Sequence, residues 1–363
     1  MLNRRSKFLP HFRLGWFIGI VLVLVIFAYF DFPISISNST DSNNRKKRKK
    51  SELKEGSGTR VENARPVPAF TIPDKIPGKQ YTYFIALGDW GTGGEGQKRV
   101  AQIMNEKAGR DSLHFVLTLG DNFYGDDLIS VTDPQWQAKF ESVYNLPFLN
   151  VPFFASLGNH DYQGTENPEA QIEYSRRNSR WQMPARYYTF TRQLEQSAAI
   201  QFFALDTYEI VSPQTEAKSA RQLEWLENEL KKSQATWKVV FGHNPVFSNG
   251  EHGGHPLMQK HAQLVFERYK IDFYLCGHEH DRQLLQPVAG VHYVVSGTGA
   301  LSDNTKWADN SIFAASDIGF AWCRVAADEF HIQFVDKNGE VEFAYTLNKS
   351  RQKAIVQAAN EKD

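Results

Sequence analysis

The 363-residue sequence contains little cysteine and no excess of either charge. Its two cysteines, Cys276 and Cys323, form neither a zinc-binding spacing nor a disulfide framework. Both lie in apolar, strand-like segments. We therefore favour buried free thiols, and a single disulfide between neighbouring strands is the alternative. The 41 basic residues equal the 41 acidic ones, so the overall charge indicates neither nucleic-acid binding nor an acidic substrate.

One long apolar run without charge stands at residues 14–30 and has 17 residues. A membrane-spanning helix needs about 17–25 such residues, whereas the core of a signal peptide has about 7–15. The length therefore favours an uncleaved membrane anchor. The small-x-small triplet at residues 35–37 leaves a second possibility open, which is a signal peptide that is cleaved before secretion. Four basic residues precede the run and favour a cytoplasmic N-terminus with the rest of the chain outside the cytoplasm.

We predict four segments along the chain. Residues 1–37 form the anchor or signal segment, 38–78 a flexible basic linker, 79–348 one folded domain and 349–363 a C-terminal tail. The linker contains the run RKKRKK at residues 45–50, which we interpret as part of a solvated tether. Binding of this run to anionic lipid or to polyanions is the alternative.

Strand-like and helix-like segments alternate from residue 80 onwards, and short strands dominate the last 60 residues of the domain. This order predicts an α/β (α+β) core in which helices cover the sheets. Five of the strand-like segments end in a turn that combines glycine with polar residues: GDWG (88–91), GDNFY (120–124), GNHD (158–161), GHNP (242–245) and GHEHD (277–281). Because sites in open α/β folds form at the carboxyl ends of strands, we expect these turns to meet.

The side chains of these turns offer a mixture of oxygen and nitrogen ligands. A lone aspartate at the end of a strand usually caps a turn, and a lone histidine is more often structural than a metal ligand. Five such turns in one domain indicate a shared site, and the number and mixture of ligands fit two metal ions better than one. The candidates are Asp89, Asp121, Tyr124, Asn159, His160, His243, His278 and His280.

In their order and content the five motifs resemble those of the purple acid phosphatases, and most closely those of the small, tartrate-resistant type within the metallophosphoesterase superfamily. The likeness extends over about residues 80–345. It implies a four-layer αββα sandwich with a dinuclear metal site at strand ends, so that residues 79–348 are the catalytic domain. It also implies two ligand sets that share Asp121: Asp89, Asp121, Tyr124 and His280 for one metal, and Asp121, Asn159, His243 and His278 for the other.

Position 91 bears on which metals are expected. Many metallophosphoesterases carry Asp-x-His at the first motif, but Gly91 follows Trp90 here, and the resemblance implies that the Tyr124 phenolate replaces the missing imidazole. A hard anionic ligand favours Fe(III), with a divalent Fe, Zn or Mn as the second metal. Two carboxylates, one phenolate and a bridging hydroxide then leave the site with a small positive charge, which suits a phosphate anion.

The reaction that the resemblance implies is the hydrolysis of a phosphate monoester by a hydroxide that bridges the two metals. His160 follows Asn159 directly and is our candidate for protonating the leaving alcohol. His252 lies in the triplet Glu251-His252-Gly253, which matches a family motif whose histidine faces the substrate. We therefore assign His252 to substrate binding or proton transfer.

Two alternatives use the same fold. A phosphodiesterase would share the metal core, whereas the Gly-Asp-x-x-Asp-Arg-Gly pattern of Ser/Thr protein phosphatases is missing at residues 120–126. A catalytically silent, membrane-tethered binding protein is the other alternative, although such proteins usually lose ligands and all seven are present. The partners we expect are a phosphate ester and, through residues 14–30, a membrane. We expect no nucleic acid and infer no obligate protein partner.

Overall fold

A computed structural model of the protein describes residues 70–163 and 167–349. In the described chain, strands account for most of the regular structure. They are, in chain order, β1 (Thr82–Leu87), β2 (Phe115–Leu119), β3 (Phe153–Ser156), β4 (Trp181–Gln182), β5 (Tyr188–Glu195), β6 (Ala198–Ala204), β7 (Trp237–Phe241), β8 (Phe273–Cys276), β9 (Arg282–Leu285), β10 (His292–Ser296), β11 (Ser311–Ala315), β12 (Phe320–Val325), β13 (Glu329–Val335) and β14 (Val341–Asn348).

Helices and shorter helical turns connect many of these strands. The helices are α1 (Glu95–Asp111), α2 (Asn167–Ser175), α3 (Thr207–Val211), α4 (Glu216–Lys232) and α5 (Leu264–Arg268). Two π-helical turns cover Trp136–Glu141 and Met258–Gln263, and two 3-10 turns cover His160–Tyr162 and Pro213–Thr215.

The strands form two mixed sheets of seven strands each, in the orders β14-β13-β12-β1-β2-β3-β4 and β11-β9-β10-β8-β7-β6-β5. Neighbours from β1 to β4 run parallel, and so do β6, β7, β8 and β10. Parallel strands that are buried on both faces read as continuous apolar runs, as VVF does in β7. In both parallel groups the carboxyl ends lie at one edge of the sheet, and the five polar turns follow β1, β2, β3, β7 and β8.

Aromatic side chains between the sheets form the core of the sandwich. Phe84 of β1 stacks on Phe115 of β2 at 5.2 Å between ring centroids, and Phe202 of β6 meets these two rings edge-on at 5.3 and 5.4 Å. Phe273 of β8 lies 4.2 Å from Phe330 of β13, again across the two sheets. Each buried phenylalanine contributes roughly 1.5–3 kcal/mol through the hydrophobic effect, and aromatic pairing adds about 0.5–1.5 kcal/mol.

Helices cover the outer faces and complete the four-layer arrangement. Val100, Ile103 and Met104, spaced at three and four residues on α1, are fully buried in the same core as the first sheet. Leu226 and Leu230 of α4 are buried with the outward side chains of β7 and β8 in a second core. The α/β (α+β) sandwich expected from the sequence is confirmed.

Both cysteines are buried free thiols, as we favoured from the sequence. Cys276 lies on β8 and Cys323 on β12, so the two are in different sheets. Burial raises the pKa of each thiol well above its ordinary value, and the Cys276 thiol donates to the carbonyl of Val294 at 3.4 Å. These thiols pack as small apolar groups.

The apolar run at residues 14–30, the basic linker up to residue 69 and the tail beyond residue 349 lie outside the described residues. Among the helices that are described, none combines the length and apolar character needed to cross a bilayer.

A buried carboxylate at the start of α3 makes stability depend on pH. Asp206 is fully buried, accepts a hydrogen bond from the Tyr162 hydroxyl, and caps α3 by accepting from the backbone N–H of Glu209 at 3.3 Å. Burial raises the pKa of Asp206 to about 7, whereas an unfolded aspartate titrates near about 3.9. Because the folded-state pKa is the higher one, this group stabilises the fold in acid, and that contribution is lost as the pH rises through about 7.

Replacing Asp206 by Asn should remove this pH dependence. From about pH 4 to about pH 8 we expect the free energy of unfolding of the wild type to fall relative to Asp206→Asn by on the order of 2–4 kcal/mol. Urea unfolding at the two pH values measures the difference. Asp126→Asn, which changes an exposed carboxylate, is the control. Its free energy of unfolding should change between the two pH values by as much as that of the wild type. If the free energies of unfolding of the wild type and Asp206→Asn differ by the same amount at both pH values, the prediction is contradicted.

Candidate metal centre

Three of the predicted site residues adopt a left-handed backbone conformation that non-glycine residues seldom use. The φ angle is 58° at Asp89, 52° at Asp121 and 72° at His278. Each residue directly follows a glycine at the end of a strand. Backbone strain of this kind concentrates at functional sites, where it re-aims a side chain. Here it turns three side chains toward one another at the carboxyl edge of the two sheets.

The first predicted ligand set closes into a compact triangle of different donor atoms. The Tyr124 hydroxyl lies 3.1 Å from Asp89 Oδ1 and 3.3 Å from His280 Nε2, and these last two atoms are 3.6 Å apart. On its other side, His280 Nδ1 lies 2.7 Å from Asp303 Oδ2. Because a carboxylate only accepts, the Nδ1–H of His280 donates to Asp303, and Nε2 faces the triangle.

The second predicted set brings two imidazole rings onto one amide oxygen. Asn159 Oδ1 is 3.0 Å from His243 Nε2 and 3.0 Å from His278 Nδ1, and these two nitrogens are 3.2 Å apart. His243 Nδ1 lies 2.9 Å from the carbonyl of Leu119, to which it donates, so Nε2 presents its lone pair to the cluster. This arrangement suits a cation between the rings.

Asp121 lies between the two sets. Its Oδ1 is 3.5 Å from His243 Nε2, and Asp89, Asp121 and His243 each offer a ligand atom within 4.8 Å of the others. The same oxygen accepts the backbone N–H of His160 at 2.8 Å. Asp121 therefore lies within reach of ligand atoms from both sets.

The charges of the site call for cations. Burial, followed by the carboxylates of Asp121 and Asp89, holds the pKa of the Tyr124 phenol well above its ordinary value. Burial also raises the pKa of Asp121 to about 6. Two carboxylates and a phenolate can be charged together at this depth only beside positive ions. Carboxylate, phenol, amide and imidazole donors in two adjoining sets therefore fit a dinuclear metal site.

Gly91 is required by the path of the backbone around Tyr124. A β-carbon at position 91 would lie 1.8 Å from the carbonyl oxygen of Asn122, and the Tyr124 N–H donates to the carbonyl of Gly91 at 3.0 Å. No side chain fits there unless the second motif moves. Histidine at position 91 is therefore incompatible with the backbone path that places Tyr124 in the first set.

A methyl group at position 91 should be costly. We expect Gly91→Ala to lower the free energy of unfolding by about 3 kcal/mol or more, because the obstacle is backbone and cannot rotate away. Urea unfolding measures the loss. Gly109→Ala is the matched control, since the three atoms nearest to its β-carbon all belong to the side chain of Phe148, which is 54 % exposed. This control, in the last turn of α1, should be neutral or stabilising by up to about 1 kcal/mol. Equal effects of the two changes would contradict the prediction.

The two predicted catalytic histidines lie at the rim of the same site. The ring of His160 packs 4.4 Å from that of Tyr124, next to the first set. His252 is half exposed and its ring lies 4.9 Å from that of His278, next to the second set. The structure thus brings together all nine residues singled out in the sequence.

Several supporting residues were not found from the sequence. Glu279 accepts the backbone N–H of His252 at 3.1 Å and is almost fully buried. Asp161 accepts the backbone N–H groups of Asn122, Phe123 and Gly158, which fastens the second motif to the third. Glu279 and Asp161 both lie within the five motifs, so the motifs could have identified them as supporting residues. Asp303 has no such signal, because it lies 23 residues beyond its partner His280.

Comparison with known proteins agrees with this architecture. Residues 82–282 match the family model of the calcineurin-like phosphoesterases. Human tartrate-resistant acid phosphatase type 5 is 32 % identical over 294 residues, which cover 73 % of this chain and 90 % of that protein. Purple acid phosphatase 7 of Arabidopsis thaliana is 32 % identical over 234 residues, which cover 60 % of this chain and 70 % of the relative.

Solved structures share the fold. The structure titled "GAP50 the anchor in the inner membrane complex of Plasmodium" superposes with a TM-score of 0.69 at 25 % identity, covering 74 % of this chain and 89 % of that one. The purple acid phosphatase PPD1 from yellow lupin seeds has a TM-score of 0.57 at 17 % identity, covering 74 % and 54 %. With both the family model and the long alignments in agreement, this chain belongs to the calcineurin-like phosphoesterases and, within them, to the purple acid phosphatases of the tartrate-resistant type.

Proposed function

We propose that this protein hydrolyses phosphate monoesters at a dinuclear centre held by seven side chains: Asp89, Asp121, Tyr124, Asn159, His243, His278 and His280. Its relatives that are named acid phosphatases support the assignment. Fe(III) is proposed beside Tyr124, where a hard phenolate suits it, and a divalent Fe, Zn or Mn beside the two imidazoles of the second set. The observation that carries the proposal is the pair of rings, His243 and His280, each turned to the centre by a hydrogen bond at Nδ1.

The bound metals would supply Lewis acidity toward the phosphoryl oxygens and a hydroxide near neutral pH. The chain's own residues do the rest. Asp121 keeps the two ligand sets adjacent, and its Oδ1 fixes the start of the His160 turn through the backbone N–H of His160. His160 is proposed to protonate the leaving oxygen, and His252, held by Glu279 at the rim, to bind the phosphate group or assist in proton transfer.

The test is steady-state hydrolysis of an aryl phosphate monoester, with the matching diester in parallel, by the full chain loaded with iron and zinc. Turnover of the monoester supports the proposal. Turnover of the diester alone would replace it with a phosphodiesterase on the same centre. Turnover of neither, by a folded and metal-loaded protein, would make a silent binding protein the better assignment.

One comparison keeps the silent alternative in view. The protein titled as an anchor in the inner membrane complex of Plasmodium shares a quarter of its aligned sequence with this chain. An anchoring role for this chain would not depend on the metal ligands. Asn159→Ala should therefore abolish activity if the protein is a phosphatase and leave its function intact if it is an anchor.

We also propose that residues 14–30 attach the protein to a membrane, with the catalytic domain (79–348) on the extracytoplasmic side and residues 38–78 as tether. The uncharged length of the run supports the proposal. Alkaline carbonate extraction of membranes tests it: the full chain should stay in the pellet. Recovery of a shortened protein in the medium would indicate cleavage and secretion instead.

A further inference from the structure

Thr207 makes hydrogen bonds to the turn that carries His243. Its hydroxyl oxygen accepts the backbone N–H of His243 at 3.1 Å and that of Asn244 at 2.9 Å. The same hydroxyl donates its proton to Asn244 Oδ1 at 3.0 Å. A threonine hydroxyl has one proton to donate and two lone pairs that can accept. These three bonds therefore use its full hydrogen-bonding capacity.

The contact between Thr207 and this turn is closed to solvent. Thr207 and His243 are fully buried, and Asn244 is almost so. The methyl group of Thr207 packs on the same turn, since a β-carbon at position 242 would lie 2.6 Å from Thr207 Cγ2. A buried N–H that loses its acceptor is not compensated by water. Thr207 is therefore the group that satisfies and shapes this turn.

Thr207 reaches the turn because of the order of the strands. It is the first residue of α3 and follows β6, whereas the turn follows β7, the parallel neighbour of β6. Both segments therefore leave the sheet at the edge where the metal centre lies. The start of α3 forms a layer of structure behind the second ligand set.

His243 is held at two further points. Its carbonyl accepts the backbone N–H of Gly277 at 3.1 Å, and its Nδ1 donates to the carbonyl of Leu119 at 2.9 Å. With these atoms and the backbone N–H engaged, the ring presents Nε2 at 3.0 Å from Asn159 Oδ1. The hydrogen bond from the backbone N–H to Thr207 thus helps to fix where this ligand atom lies.

The first ligand set is held by different contacts. His280 is oriented by Asp303, whose Oδ2 lies 2.7 Å from His280 Nδ1. Tyr124 is held through its N–H, which donates to the carbonyl of Gly91 at 3.0 Å. The hydrogen bonds of the Thr207 hydroxyl described above end on the turn of the second set. A change at Thr207 should therefore act on one set and spare the other.

We propose that Thr207 is a positioning residue that sets the affinity of the second ligand set for its metal ion, an inference that rests on the dinuclear centre of the proposed function. Without the hydroxyl, two buried N–H groups lose their acceptor, the turn shifts to find other partners, and His243 Nε2 moves with it. Zinc–imidazole bonds are confined to about 2.0–2.1 Å, so a small shift of this nitrogen weakens binding.

Zinc titration of the full chain, stripped of metal beforehand, tests this role without any measurement of turnover. The wild type should bind two zinc ions. In Thr207→Val we expect one ion to bind as in the wild type and the other about 10–100-fold more weakly, the range for losing a partner of a metal ligand. Thr207→Ala, which cannot crowd the turn, should show the same loss and serves if the valine variant does not fold.

Two further variants are controls. Thr207→Ser keeps the hydroxyl, so both ions should bind within about threefold of the wild type. Thr189→Val makes the same chemical change on β5, where the hydroxyl donates to the carbonyl of Phe202 at 2.8 Å and accepts from Gln201 at 2.9 Å. Its zinc affinities should equal those of the wild type.

A double variant identifies which ion is affected. Asn159→Ala removes a ligand of the second set, so the tighter zinc-binding step that remains belongs to the first set. Adding Thr207→Val to Asn159→Ala should leave that step unchanged. A weaker step in the double variant would mean that Thr207 supports the whole centre and not the second set.

Three other outcomes would also overturn the role of Thr207. They are wild-type affinities in both Thr207→Val and Thr207→Ala, equal weakening of both ions in these variants, and a loss in Thr207→Ser as large as that in Thr207→Val. Each of them leaves the two zinc ions of the wild type, and with them the proposed centre, in place. A wild type that binds fewer than two zinc ions overturns the dinuclear centre itself and the role of Thr207 with it.

Discussion

Asp121→Asn is expected to lower the turnover of an aryl phosphate monoester by about three orders of magnitude. Asn keeps the size of the side chain and can still accept the His160 N–H, but it removes the negative charge that lies between the two ligand sets. The stability of the metal-free protein should change in the opposite direction. Asp121 is buried next to Asp89, so neutralising it relieves repulsion at pH values above about 6.

Two measurements separate these effects. Thermal unfolding without metal should give a melting temperature for Asp121→Asn at or above that of the wild type, and added metal should raise only the wild-type value. Asp126→Asn is the matched control, because it makes the same chemical change at an exposed position of the same loop. Turnover by Asp121→Asn within tenfold of the wild type would rule out a bridging role for Asp121.

His160→Ala is expected to lower kcat for an alkyl phosphate by about 10²–10⁴-fold, the range for removing a general acid. Metal content should not change, since His160 is not among the seven proposed ligands and meets the centre through its N–H to Asp121 and its ring contact with Tyr124. Turnover on the alkyl ester and metal analysis of the purified protein check the two statements together.

His255→Ala supplies the control for losing an imidazole near the site. His255 lies on the 248–256 loop, where its Nδ1 accepts the backbone N–H of Leu257 at 3.2 Å. It should retain wild-type kcat. Full activity in His160→Ala would mean that another group protonates the leaving oxygen, and His252, whose ring lies against His278, would then be the residue to replace next.

Most of the candidate site could be predicted from the sequence because each group of site residues is a short contiguous segment of the chain. Each motif stands within five residues at the end of one strand, and a glycine marks the position where the backbone turns. The apolar run at residues 113–119 predicts a strand, and β2 covers Phe115–Leu119. Asp133 followed by Pro134 predicts the start of a helix, and there Asp133 accepts the backbone N–H of Gln135 at 2.9 Å. What the motifs do not contain is the order of strands across two sheets, which depends on contacts between distant segments.

Helix periodicity gave one wrong prediction. The spacing of Leu257, His261 and Leu264 predicts that they share the apolar side of one regular helix over residues 256–269, but Leu264 is 57 % exposed. The cause is the π-helical turn at Met258–Gln263, which holds more residues per turn and rotates the following side chains away from the expected face. The strands β4 and β5 were not assigned from the sequence, and the partner of His280, Asp303, is too distant in the chain to be found by motif spacing.

The contact between Gly91 and the Asn122 carbonyl has a consequence for how this branch of the family can diverge. A chain with histidine at position 91 and the present path of the second motif cannot be built, because the first atom of that side chain would collide with backbone. A chain that lost Tyr124 while keeping Gly91 would lack one of the seven proposed ligands. Exchange between a histidine at position 91 and a tyrosine at position 124 therefore needs coordinated changes in both motifs. A sequence with only one of the two changes would be selected against.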